Sequence, residues 1–111
     1  MAAINFENLF NGLKTDVVTL ATASFKTFAT EAATDAQNLL QEMKEKLARW
    51  TILLAEKKLT PDDFELLINA QKDLIEMKVL QKAGLTAIRI EQFRDSVVNL
   101  VADSIFHVIG L

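Results

Sequence analysis

The chain has 111 residues; 50 % are apolar, 24 % are charged, the net charge is −3 and cysteine is absent. This composition excludes a disordered chain, a disulfide framework and a thiolate zinc or redox centre. The chain has no run of basic residues, so we expect no nucleic-acid partner. The lack of cysteine is compatible with the cytoplasm, where we expect the protein to act.

Glycine and proline are scarce, with three and one residues respectively. Few hairpin turns or long loops can be built from so few breakers, so long helices are predicted. We therefore expect one all-α domain over residues 1–111, a long N-terminal helix plus an antiparallel helical hairpin. This three- to four-helix bundle would be completed by oligomerisation. The predicted helices cover residues 5–11, 14–57, 61–83 and 87–109.

The first half of the chain carries a regular apolar stripe. Its spacings of four, four and three residues repeat every eleven, close to the 3.6-residue period of a straight α-helix. Lys14 is the one interruption. The stripe consists of Phe6, Phe10, Val17, Ala21, Phe25, Phe28, Ala32, Ala36, Leu39, Met43, Leu47, Trp50 and Leu54.

Two interpretations of this stripe are open. Because it continues in phase and no glycine or proline occurs over residues 14–57, we favour one continuous helix about 65 Å long, at 1.5 Å per residue. However, Thr34 begins a capping-box pattern that ends at Gln37, so the helix could break near Thr34. The broken form would fold back as a four-helix bundle.

The second half of the chain has clear start and stop signals. Thr60 is a predicted N-cap, followed by Pro61 at the first helical position and two carboxylates in the first turn. Gly84 is the predicted left-handed stop of this helix, and Thr86 is the predicted cap of the last one. The helix over 61–83 has two apolar rows, an arc wide enough to contact two neighbours.

A continuous first helix is nearly twice as long as the hairpin that follows it, so its N-terminal half would lie uncovered. Exposed apolar surface of that size is typical of association. We expect a homo-oligomer, with a two-fold dimer favoured, or a helical protein partner. The predicted interface residues are Phe6, Phe10, Val17, Leu20, Phe25 and Phe28.

The same segment supports a second interpretation. Over residues 6–34 a threonine-rich, weakly charged face opposes the bulky apolar one, a pattern typical of helices that lie reversibly on membrane surfaces. Few cations flank this face, so packing against protein is the preferred interpretation. The longest apolar region, residues 97–109, contains polar residues and is too short to cross a bilayer.

Candidate chemistry is sparse. His107 and Asp103 are four residues apart and face the same way on a helix, but a metal site needs three or four ligands. Asp62, Asp63 and Glu65 lack the loop of a calcium site and are better explained as first-turn carboxylates. We predict no catalytic, cofactor-binding or metal-binding residue.

A small helical enzyme or ligand carrier is the remaining alternative. Arg94 is the one cation near an apolar row, and Trp50, Met43 and Met77 have the spacing of either a ligand cavity or plain core. The favoured function is a small helical protein-interaction or assembly module without catalytic activity.

Overall fold

A computed structural model describes residues 5–110 and shows an all-α bundle. Residues 1–4 and 111, which the predicted domain includes, lie outside the described range. The described helices are α1 (Phe6–Ser24), α2 (Ala29–Ala55), α3 (Pro61–Lys72), α4 (Lys78–Lys82) and α5 (Ala87–Ile109). The predicted fold class, an all-helical bundle, is confirmed.

The prediction of a continuous helix over 14–57 is wrong. The helix breaks at residues 25–28, and Thr34 lies inside α2, where its hydroxyl donates to the carbonyl of Thr30. The longest dimension of the bundle is 46 Å, too short for a helix of about 65 Å. Gly12 does not end a short first helix either, because α1 continues through it.

The break allows α1 to fold back along α2. Folding back buries Phe10, Leu13 and Val17, each contributing roughly 1.5–3 kcal/mol. A broken helix gives up about four hydrogen bonds worth about 1 kcal/mol each, and water can replace many of them. Burial of the apolar stripe therefore outweighs the continuity of the helix.

The spacing of the apolar stripe does not reveal this turn, because residues of the turn are themselves apolar members of the stripe. Phe25 has an extended backbone, and its ring packs edge-on against Phe93 of α5, with centroids 5.1 Å apart. Phe28 is half-buried against the same core. The spacing of apolar residues thus continues through a turn that is not helical.

The predicted helix over 61–83 is also interrupted, at residues 73–77. Ile75 and Met77 are both buried there. Two side chains that are two residues apart on an α-helix are rotated by about 200° around its axis, so they point in nearly opposite directions. Ile75 and Met77 could not both face one core from a continuous helix. Breaking the helix buries both side chains.

The predicted end signals are confirmed. The Thr60 hydroxyl accepts from the Asp63 N–H at 3.1 Å, and the Thr86 hydroxyl accepts from the Arg89 N–H at 3.3 Å. Gly84 has a φ of +92°. The last helix has the bounds predicted for it, 87–109.

Four helices form the bundle, with α4 as a short addition. Contacts of Phe25 with Phe93, and of Trp50 and Phe106 with Phe64, show that α2 and α5 run parallel, with α1 and α3 antiparallel to them. Within residues 5–110, α1 and α3 each contact α2 and α5 but not each other. They therefore lie at opposite corners, and the α1–α5 edge is opposite the α2–α3 edge.

Candidate functional site

The predicted interface residues lie in the chain's own core. Phe10 and Val17 are fully buried and Phe25 nearly so, while the remaining three are half-buried against the same cluster: Phe6, Leu20 and Phe28. The uncovered half-helix that motivated this interface does not exist, because α2 and α5 cover α1. Lys14, which interrupts the apolar stripe, places its ammonium 5.4 Å from the centroid of the Phe10 ring.

The threonine-rich face of segment 6–34 is exposed. Its hydroxyls donate to carbonyls four residues earlier in the same helix, as Thr19 does to Thr15 and Thr22 to Val18. The apolar face opposite is buried, so α1 would have to leave the bundle before it could lie on a lipid surface. None of the helices described over residues 5–110 is long and apolar enough to span a membrane.

His107 and Asp103 line an open groove between α5 and α1. Asp16 and Gly12 contribute from α1, and the groove encloses about 540 Å³. Within residues 5–110 no group of three or more potential ligands is placed to hold a metal ion. Leu13 on the groove wall is buried, but Leu9 and the half-exposed Val108 also line the groove, so its surface is mixed polar and apolar.

The other candidate residues lie in the first turn of α3, in the core and on α5. Asp62 and Asp63 occupy the first turn of α3 behind the Thr60 cap. Trp50, Met43 and Met77 are packed in the core. Arg94 is half-buried on α5, and its Nε atom has no hydrogen-bond partner in the part of the chain that is described.

The outer side of α3 carries exposed apolar residues that the core does not use. Leu66 is 71 % exposed and Leu74, just after the helix, is 76 % exposed. Leu67 and Ala70 are also exposed on this side. We call these four residues, Leu66, Leu67, Ala70 and Leu74, the α3 ridge.

The sequence carried a signal for this ridge. The helix over 61–83 was predicted to contact two neighbours because it has two apolar rows. One row supplies the buried Phe64, Ile68 and Ile75. The other row begins with Leu66, Ala70 and Leu74, which are exposed, and ends with Met77 and Leu80, which are buried. Only the first part of this row is therefore left uncovered within the described chain.

At its Leu74 end the ridge borders a groove between α2 and the segment that follows α3. This groove encloses about 780 Å³. At the end of α3, Lys46 of α2 donates to the side-chain oxygen of Gln71, and Lys72 pairs with Asp95 of α5. The groove is lined by Asp35, Asn38, Gln41 and Glu42 of α2 and by Asp73, Leu74, Ile75, Glu76, Lys78 and Val79.

The groove wall is fixed by a buried carboxylate. Asp35 is 3 % exposed and accepts the N–H groups of Val79 and Leu80, at 3.1 and 2.7 Å. These are first-turn donors of α4, whose N-cap residue Met77 provides no side-chain hydrogen bond. Asp35 therefore replaces the missing cap from another helix.

Comparison with known proteins gives no family to which this geometry can be referred: no family model, no curated protein and no solved structure matches the chain.

Proposed function

We propose that this chain is a non-catalytic helical docking module of the cytoplasm, which binds a helical protein partner through the α3 ridge. The observation that carries the proposal is the exposure of Leu66 and Leu74, at 71 and 76 %. A single exposed leucine is ordinary, but exposed apolar residues grouped on one side of a helix and of the turn that follows it are typical of interaction surfaces.

The class of function is the one predicted from the sequence, but the docking surface is the α3 ridge instead of residues 6–34. An interface through residues 6–34 would require taking apart the core, since Phe10 and Val17 are fully buried. The α3 ridge requires no rearrangement, because its leucines already face solvent. Most interfaces of preorganised complexes form in this way, with little movement of the backbone.

The chain offers a matched control for this surface. Ile88 is 71 % exposed, the same fraction as Leu66, but it lies in the first turn of α5. A photo-reactive amino acid at position 66 or at position 88 therefore samples two equally exposed apolar sites. We expect adducts in cells from position 66 and not from position 88.

A second variant tests whether the ridge itself makes the contact. Leu74→Glu should abolish the adduct from position 66 while leaving the free energy of unfolding within about 0.5 kcal/mol of the parent, as for exposed positions generally. Equal labelling from positions 66 and 88, or adducts that persist in Leu74→Glu, would refute the ridge as a docking surface.

A further inference from the structure

We infer that the occupant of the α3 ridge is an amphipathic helix of another protein, with lysine or arginine beside its apolar residues, seated along the ridge and the adjoining groove. The inference rests on the proposed function and specifies the chemistry of the partner.

The surroundings of the ridge are acidic. Residues 60–77 hold five carboxylates and one lysine, and that lysine, Lys72, is paired with Asp95. In the groove, Glu42, Asp73 and Glu76 are exposed beside a single exposed cation, Lys78, and within residues 5–110 none of these four side chains forms a salt bridge. A partner that covers Leu74 is therefore brought against unpaired carboxylates, which favour a cationic rim over a neutral or acidic one.

The wall that carries Leu74 is preformed. Its neighbours Ile75 and Met77 are buried, and Asp35 holds the backbone of Val79 and Leu80. Leu74 itself points outward although the residues after it are anchored in the core. Binding therefore does not have to order this segment, which reduces the entropic cost of association.

The ridge matches the length of a helical ligand. Leu66 and Ala70 are one turn apart on α3, and Leu74 follows in the turn after the helix ends at Lys72, so the ridge is roughly two helical turns long. An amphipathic helix presents its anchors at positions i, i+3 or i+4, and i+7 over a similar distance.

A second copy of this chain is a poorer occupant. In a two-fold dimer the same patch meets itself. Asp62, Asp63 and Asp73 on one copy would then approach the equivalent carboxylates of the other, and like charges brought together at an interface are repulsive.

The test identifies what touches the ridge and then measures its dependence on charge. A photo-reactive amino acid is placed at position 74 of the full chain, with position 88 as control, and the cross-linked peptide is sequenced by mass spectrometry. We expect a segment with helical apolar spacing and several lysine or arginine residues. That segment is then synthesised and titrated against the purified chain.

Charge reversal separates the acidic groove from the rest of the surface. The Asp73→Lys, Glu76→Lys double variant should weaken binding of the peptide at least tenfold and reduce its salt dependence. Glu91→Lys, an exposed site on α5, should leave both unchanged. Circular dichroism of each variant verifies that the helices are retained.

The other outcomes overturn the inference in distinguishable ways. A captured segment that is neutral or acidic, or an affinity that is indifferent to the double reversal, refutes the cationic helix but leaves the α3 ridge as a docking surface. An adduct between two copies of the chain shows that the occupant is a second copy. Failure of positions 66 and 74 to give any adduct beyond that from position 88 refutes the proposed function as well.

Discussion

The carboxylate of Asp35 accepts a hydrogen bond from the backbone N–H of Leu80 at 2.7 Å, although 45 residues separate the two along the chain. Asp35 thus caps a helix to which it does not belong. Its carboxylate takes the place in space that the side chain of a capping serine or threonine before α4 would fill. Asp35 is one of two buried polar residues among those described. The bond ties the first half of the chain to the second.

Removal of this carboxylate should be costly. Asp35→Ala leaves the N–H groups of Val79 and Leu80 without their acceptor, and a buried donor without a partner costs about 1–3 kcal/mol. We expect Asp35→Ala to lower the free energy of unfolding by about 3 kcal/mol in urea denaturation. Asp35→Asn keeps one acceptor oxygen and should lose about half as much. An unchanged midpoint for Asp35→Ala would show that α4 does not depend on this cap.

The fold-back of α1 predicts a large effect at the turn. In Phe25→Asp with Phe28→Asp, two rings of the core cluster are replaced by carboxylates, a change that costs several kcal/mol at a buried site. Small domains are stable by only about 5–15 kcal/mol, so we expect loss of cooperative unfolding and of most helicity by circular dichroism. Thr19→Asp with Thr22→Asp, on the exposed face of α1, is the control and should remain folded. A folded, fully helical Phe25/Phe28 variant would mean that the N-terminal half is not part of the core.

Substitution by alanine should lower the free energy of unfolding at Gly84 and raise it at Gly12. Gly84 has a φ of +92°, where a Cβ is strained even though no atom of the described chain lies within 4 Å of it. Gly84→Ala should therefore lower stability by about 1 kcal/mol. Gly12 is an ordinary helical residue with open space around its Cβ position, so Gly12→Ala should raise stability by about 0.5–1 kcal/mol. Thermal unfolding of both variants tests the pair, and a gain at Gly84 would contradict its left-handed conformation.

Trp50 should report on the end of the bundle where α2 meets α3. It is 9 % exposed, and its ring packs edge-on against Phe64 at a centroid distance of 6.1 Å. Native fluorescence should be blue-shifted and resistant to acrylamide, and Trp50→Ala should cost about 3–5 kcal/mol through lost burial and the cavity left behind. Red-shifted emission that acrylamide quenches readily would place the ring in solvent.

Local rules of capping and periodicity determined much of the fold in advance. Thr60, Gly84 and Thr86 act through backbone groups within four residues of themselves, so their roles could be predicted without any knowledge of the tertiary structure. The same holds for the all-helical class and for the bounds of α5. The apolar rows also identified residues such as Trp50 and Met43 as members of the core.

Tertiary packing decided where the helices break and which surface remains free. A stripe of apolar residues has the same spacing whether one core lies beside a straight helix or between two helices joined by a buried turn, so the break at Phe25–Phe28 left no mark in the sequence. The break before α4 depends on Asp35, a residue 45 positions away from the N–H group it accepts. The α3 ridge followed from both breaks: α1 turned inward to cover α2 and α5, and Leu66 and Leu74 were left on the side that no helix of the described chain reaches. Contacts between distant residues set these outcomes, and local propensity does not contain them.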